Sequence, residues 1–252
     1  MERVYRVLEI AKEAQKKDCD SVFAVVGGER MGKSMFTLHC LDYLGASPES
    51  ICVDKNNLAE TFKKLKKYDC LDFDEAIDGL FSKEGLKKFN KELEKLFMIC
   101  GQENWITFVL IPDFFMLSPM FRKRRIIGLF HIYRRGRVKF FDRIAIKKIN
   151  FNHDRYKTPD IKGAKPLFYD TFPKYKGRLL KPYLEMKAAK VEQQKQNFAD
   201  NVAEPKPHIV KVSKKARAIA LLKEGWKPRD IAKELQMDVN YVYTLRKTAV
   251  IT

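Results

Sequence analysis

Long apolar runs are missing from this sequence. No stretch of 18 apolar residues occurs in its 252 residues, which argues against a membrane-spanning helix and against stable membrane insertion. The opening Met1-Glu2-Arg3-Val4-Tyr5-Arg6 lacks the apolar core of a secretory signal, so a cytoplasmic protein is expected. Cysteine is sparse and scattered: Cys19, Cys40, Cys52, Cys70 and Cys100 form no CxxC pair, and only His39, beside Cys40, is a neighbouring histidine. That pattern argues against a zinc cage and a disulfide framework, and reduced, mostly buried thiols are expected. Acidic residues are also short, 32 Asp and Glu against 50 Lys and Arg, giving a net charge of +18. A protein this basic, with no amphipathic membrane segment, is expected to face nucleic acid.

What the sequence does contain is a glycine-rich turn in a telling place. Ser21-Val22-Phe23-Ala24-Val25-Val26 is a short β-branched apolar run, and Gly27-Gly28-Glu29-Arg30-Met31-Gly32-Lys33-Ser34 follows it directly, fitting GxxxxGK[ST]. A strand that delivers the chain into such a turn and then a helix aims backbone N–H groups at one point, where the helix dipole adds positive potential. In this reading Gly27 and Gly32 permit the turn, Lys33 reaches the outer phosphates of ATP, and Ser34 places its hydroxyl on Mg2+. Gly27, Gly28, Glu29, Arg30, Met31, Gly32, Lys33, Ser34 and Met35 make up the expected nucleotide-contacting set. The helix that follows has apolar residues at Met35, Leu38, Leu41 and Leu44, a spacing suited to packing on a sheet.

Hydrolysis also needs a metal anchor and a base. Tyr68-Asp69-Cys70-Leu71-Asp72-Phe73-Asp74-Glu75-Ala76 offers a short strand ending in paired carboxylates. Asp74 is expected to hold Mg2+ through water, and Glu75 to polarise the attacking water. The competing reading is that both acids only cap the next helix. Asp72 is a departure, because an acid inside a buried strand is unusual. A glutamate beside the aspartate points to ATPases with an extra strand between the two motifs, and Ile51-Cys52-Val53 can supply it. A polar helix from Lys83 to Met98 and a core strand from Trp105 to Asp113 are expected next. Asp113 or Ser118, just past that strand, could sense the γ-phosphate.

Between Arg122 and Lys148 there are 11 basic residues and one acid, Asp142. Strands are expected at Gly128 to Tyr133 and Val138 to Ile146, joined by a turn at Arg134-Arg135-Gly136-Arg137. Pro182 to Ser213 is polar and includes Pro205 and Pro207, and reads as a helical then extended linker that tethers a swinging module. From Lys214 a helix runs to Glu224 and stops at Gly225; a short helix follows Pro228, and Asp238 caps a third that runs to Lys247. Ile231, Leu235, Met237, Val242 and Leu245 supply the mini-core. This module resembles a helix-turn-helix of the resolvase or sigma-factor kind, although Gln236 stands where the turn usually has glycine. Asn240, Tyr241, Tyr243, Thr244, Arg246 and Lys247 are the candidate DNA-binding residues, and Lys214, Lys215 and Arg217 candidate phosphate contacts.

The order of these features resembles a known family. The glycine loop, Asp74-Glu75-Ala76, Ile111-Pro112-Asp113-Phe114, Arg122 to Arg125 and Phe130 to Gly136 look like the viral and plasmid P-loop ATPases of the ASCE group, related to zonula-occludens-toxin-like (Zot-like) proteins and the FtsK/HerA DNA pumps. The likeness spans about residues 20 to 150. It implies an α/β fold with a RecA-like P-loop NTPase core: a parallel sheet flanked by helices, with a β-hairpin extension, and here a small all-α helix-turn-helix module attached. It also implies a homo-oligomeric ring that moves double-stranded DNA, in the host cytoplasm if the source is viral. An arginine of one subunit would complete its neighbour's ATP site; Arg122, Arg124 and Arg125 are the first candidates, Arg134 and Arg135 the next. The expected domains are 1–181, a linker at 182–212 and a module at 213–252. The expected function is a DNA-dependent ATPase that translocates or packages DNA, with a replication initiator or helicase loader, or a nucleotide-switched transcriptional regulator, as alternatives.

Overall fold

The structure, a computed structural model, describes residues 1–54, 58–74, 91, 94, 97, 101–203 and 214–249; for 197–203 and 247–249 only the backbone is described. The chain divides into two compact units, Met1–Lys195 and Gln196–Thr252. The expected helix from Lys83 to Met98 and the base Glu75 lie outside the described residues.

In the first unit, β1 (Ser21–Val26) is buried along its whole length. A strand of β-branched and aromatic residues with no polar alternation must be covered on both faces, as parallel strands are. Val22, Ala24 and Val26 enter one core and Phe23 and Val25 the other. β4 (Ile106–Ile111) and β5 (Ile126–Arg134) flank β1 in parallel. β3 (Cys70–Phe73) pairs with β4, and β2 (Ile51–Cys52) with β3, again in parallel. β6 (Arg137–Phe141) folds back antiparallel on β5 and carries β7 (Phe168–Thr171) on its other side. The seven strands lie in the order β2-β3-β4-β1-β5-β6-β7. The first unit is thus α/β with a mostly parallel, mixed sheet.

Two sequence expectations are corrected here. Ile51–Cys52 is a strand, but at the sheet edge; the strand seated between β1 and β3 is β4. The second hairpin strand ends at Phe141 rather than Ile146, because Asp142 accepts a hydrogen bond from the Ala145 N–H at 2.8 Å and so caps α5 (Arg143–Tyr156). Ala145, Ile146 and Ile149 then recur at helical spacing and are buried against the sheet.

Helices cover both faces. α1 (Glu2–Gln15), α2 (Lys33–Leu44) and the start of α6 (Leu180–Ala203) pack on one side through Val4, Leu8, Phe36, Leu38, Leu41 and Tyr183. α3 (Leu58–Lys64), α4 (Pro119–Arg124) and α5 pack on the other through Phe62, Phe121 and Ile149. Phe130 anchors the first of these cores, with ring centroids 5.5, 5.0 and 4.7 Å from Phe23, Phe36 and Phe140. Truncating a buried ring like this to alanine costs about 3–5 kcal/mol.

The segment from Pro182 is helical up to Ala203, and its residues up to Lys195 group with the first unit; the part expected to be extended, around Pro205 and Pro207, lies outside the described residues. In the second unit α7 (Lys214–Lys223), α8 (Pro228–Leu235) and α9 (Val239–Ala249) enclose a core of Ala218, Ile231, Ala232, Leu235, Val242 and Leu245. Met237, Val239, Leu221 and Leu222 pack partly buried against it.

Candidate functional sites

In a parallel sheet all strand C-termini lie at one edge. Gly27, directly after β1, and Asp74, directly after β3, are therefore at the same end of the sheet, separated by the width of β4, or about 10 Å for two inter-strand steps. The loop backbone there is tightly constrained. Gly27 has φ +153°, and a Cβ on it would stand 2.6 Å from the Ile132 carbonyl oxygen of β5. Gly27 N–H donates to the Pro112 carbonyl past the end of β4 at 3.3 Å, so the loop is tied to both neighbours of β1. Gly32, with φ +97°, starts α2, whose first N–H groups have no partner within the helix. Lys33 Nζ folds back over the loop and donates to the Gly27 and Gly28 carbonyls at 2.7 and 3.1 Å. Gly28, Glu29 and Arg30 are exposed, and Met31 and Met35 are half-buried against the core.

The acids meet this loop through α2 and α6. Asp72 is wholly buried, and Thr37 Oγ1, one turn beyond Lys33, lies 3.3 Å from its Oδ2. Burial pushes the Asp72 carboxyl well above the ordinary range, and neighbouring Asp74 raises it further. Its Oδ1 has no hydrogen-bond partner among the described residues. Asp74, 2% exposed, accepts from the Tyr183 hydroxyl at 2.8 Å. Ser34 hydrogen-bonds the same hydroxyl, and Lys187 Nζ donates to it at 2.9 Å while standing 3.9 Å from Asp74 Oδ2. Burial raises the Tyr183 pKa, so the phenol stays protonated and donates to Asp74. The hydroxyl and carboxylate expected to hold Mg2+ are thus joined through one tyrosine.

Fit to a magnesium nucleotide can be judged from these donors. A hard divalent cation takes oxygen ligands from a hydroxyl and a carboxylate. Ser34 and Asp74 supply that pair on one polar cluster, at the N-terminal end of α2. The residues fit the group.

Thr37, Tyr183 and Lys187 escape sequence reasoning. Tyr183 and Asp74 are 109 residues apart, and Tyr183 sits in a polar segment with no local motif. Only the fold brings them together. Asp72, by contrast, already stands out as an acid inside a strand.

The arginines sort differently from expectation. Arg122 is 2% exposed, with its guanidinium 4.8 Å from the Phe115 ring centroid and 5.8 Å from that of Phe114. Such burial removes it from the arginines able to reach a neighbour's nucleotide. Arg125 lies just before β5, at the sheet edge opposite the glycine loop, where it is paired with Asp20 and donates to the Phe97 carbonyl at 3.0 Å. Arg134 and Arg135 are exposed at the loop end, and Arg135 donates to the Arg30 carbonyl at 3.2 Å. Asp113 and Ser118 both serve as caps, accepting from Phe115 N–H at 2.8 Å and Phe121 N–H at 3.2 Å. The buried thiols Cys40, Cys52 and Cys70 are held protonated, burial pushing Cys52 up to about 11 and Cys70 to about 12.

In the second unit Asp238 Oδ1 accepts from Tyr241 N–H at 3.0 Å and caps α9. Val242 and Leu245 then point into the core, which leaves Asn240, Tyr241, Tyr243, Thr244 and Arg246 exposed. The side chain of Lys247 lies outside the described residues. Lys214, Lys215 and Arg217 are exposed on α7. Residues 210–249 match the homeodomain-like domain family. The module is therefore a helix-turn-helix of the homeodomain-like kind, which supports DNA binding. No curated protein and no solved structure matches the chain. Among the described residues no helix is long and apolar enough to cross a membrane.

Proposed function

We propose that the chain is a P-loop ATPase that acts on DNA: ATP bound and hydrolysed in the first unit drives translocation or packaging of DNA that the helix-turn-helix holds. The observation that carries this reading is the convergence of the glycine loop, Lys33 and Ser34 with Asp72 and Asp74 at one end of the parallel sheet. A single strand, β4, lies between the two motif strands, the arrangement sought in ATPases that carry glutamate next to the metal-binding aspartate. Lys33 would leave the loop carbonyls for the outer phosphates, Ser34 and Asp74 would hold Mg2+, and Glu75 would polarise water. Bound Mg2+ and ATP supply the phosphoryl chemistry and the charge to be stabilised. Arg135, which donates to the Arg30 carbonyl of the glycine loop, and Arg134 beside it replace Arg122 and Arg125 as the candidate arginines for the nucleotide.

Calorimetry with Mg-ATP, together with phosphate release with and without duplex DNA, tests the reading. Wild type should bind nucleotide and turn over faster on DNA. Lys33→Ala should abolish binding or turnover, and Glu75→Gln should bind ATP but release phosphate at least about a hundredfold more slowly, the scale of a lost general base. No uptake of Mg-ATP by the wild-type protein would overturn the ATPase reading, and turnover indifferent to DNA would overturn the motor.

A further inference from the structure

The antiparallel extension of the sheet carries a surface that the nucleotide site does not use. His131 of β5, Lys139 of β6 and Tyr169 of β7 are register partners across three strands, and Arg137 pairs with Thr171 two residues along on the same face. Tyr133 joins that face: its ring centroid lies 5.9 Å from that of Tyr169 at 90°, and Lys139 Nζ stands 5.9 Å from the Tyr133 centroid. The rings are open, Tyr133 37% and Tyr169 56% exposed. Farther back along the strands the same face is covered, where Leu129 and Phe141 are buried with Ile146 and Ile149 of α5. The tyrosines therefore lie beyond the helix that shields the rest of the face. Arg134, Arg135 and Arg137 are exposed at the hairpin tip, and Asp160 is the acid that acts on Lys139.

We propose that this face binds single-stranded nucleic acid, with bases stacked on Tyr133 and Tyr169 and the backbone tracked by Arg137 and Lys139. Two features select a single strand. Bases in a duplex bury their faces against one another and cannot use an open ring, whereas unstacked bases can. Lys139 beside the Tyr133 ring and exposed Arg137 on the same face favour an anionic partner. The two rings stand on β5 and β7, on either side of β6, so one sheet face presents both of them to successive bases. The site is separate from the helix-turn-helix and does not depend on nucleotide hydrolysis, so it stands or falls apart from the ATPase reading.

Fluorescence anisotropy on the full chain tests it, with labelled oligo-dT of roughly 20 nucleotides, longer than the 4–16 such platforms occupy, and a duplex of the same length. Tyr133→Ala combined with Tyr169→Ala should weaken oligo-dT binding roughly tenfold per ring and leave duplex affinity within about twofold. Tyr133→Phe with Tyr169→Phe should retain oligo-dT affinity, because the ring face is kept. Arg137→Gln with Lys139→Gln should lower the salt slope for oligo-dT by about 1.4, at about 0.7 per phosphate contact. Unchanged oligo-dT affinity in the double alanine variant, or an equal loss for duplex, would overturn the proposal, as would an unchanged salt slope in the charge variant.

Discussion

At the glycine-loop end of the first unit the groups with chemical potential are part of the scaffold. Gly27 touches β5, Thr37 touches a buried acid, and Asp74 is held by a tyrosine from α6. In the helix-turn-helix the division is clean: Val242 and Leu245 hold the core while Asn240, Tyr241, Tyr243, Thr244 and Arg246 face outward. The difference separates two kinds of functional surface. Where chemistry needs charge in a dry place, the site and the fold share atoms, and a substitution alters both. Where recognition needs only side chains presented on a rigid helix, stability and binding can be changed one at a time.

Glycine substitutions test this contrast most severely. Gly27→Ala places a Cβ 2.6 Å from a backbone oxygen at φ +153°, and the obstruction cannot rotate away. It should destabilise the first unit by about 2–4 kcal/mol, the scale of overpacking plus backbone strain. Gly225, at φ +89° in the second unit, has nothing within 4 Å of the same added atom. Gly225→Ala should cost only about 1–2 kcal/mol, the left-handed penalty alone. Urea unfolding followed by Trp105 fluorescence in a Trp226→Phe background reports the first unit, and amide exchange along α9 reports the second. Equal costs would show that the glycine loop is not locked by β5.

This contrast also explains how far the sequence could be read. β1, β4, the glycine loop and the three C-terminal helices follow from local signals: an apolar run, a turn that only glycine permits, a proline at a helix start, a capping aspartate. The ends of the hairpin strand and the edge position of β2 do not, because strand neighbours are set by the whole sheet. At the candidate site Ser34 and Asp74 are legible from their motifs. Tyr183 and Lys187 are not, since nothing in Pro182-Tyr183-Leu184 distinguishes a linker helix from one that reaches a buried carboxylate. Arg122 fails for a related reason: next to Arg124 and Arg125 it has the look of a solvated charge, yet its helix turns it onto Phe114 and Phe115.

A smaller and more selective effect should come from Asp72. Its folded-state pKa lies above the unfolded value, so between about pH 4 and that raised value the native state holds a proton the unfolded chain has released. Stability must therefore fall as pH rises through this window, by at most about 1.4 kcal/mol per pH unit. Asp72→Asn keeps the shape and removes the titration. Its melting temperature should vary less with pH than that of wild type, with the gap widening in favour of the variant as pH rises. A variant that is less stable than wild type by the same amount at every pH would show that the carboxyl's bonding, rather than its charge, decides the fold there.

The mildest test falls on the turn of the helix-turn-helix. Gln236 ends α8 in the left-handed region, at φ 49° and ψ 56°, and the Met237 N–H closes the helix end on the Ala232 carbonyl at 2.9 Å. Glycine is the residue that enters this conformation without a Cβ penalty, which is about 1–2 kcal/mol for other residues. Against that gain, glycine makes the unfolded chain more flexible, by about 0.4–1 kcal/mol. The net expectation for Gln236→Gly is a stabilisation of about 0.5–1 kcal/mol, visible as slower amide exchange in α8 and α9. Duplex affinity should not move, because residue 236 lies before the recognition helix and the exposed face of α9 is untouched. A loss of affinity would mean that Gln236 itself meets DNA, and would make the turn, like the glycine loop of the first unit, a place where scaffold and function share a residue.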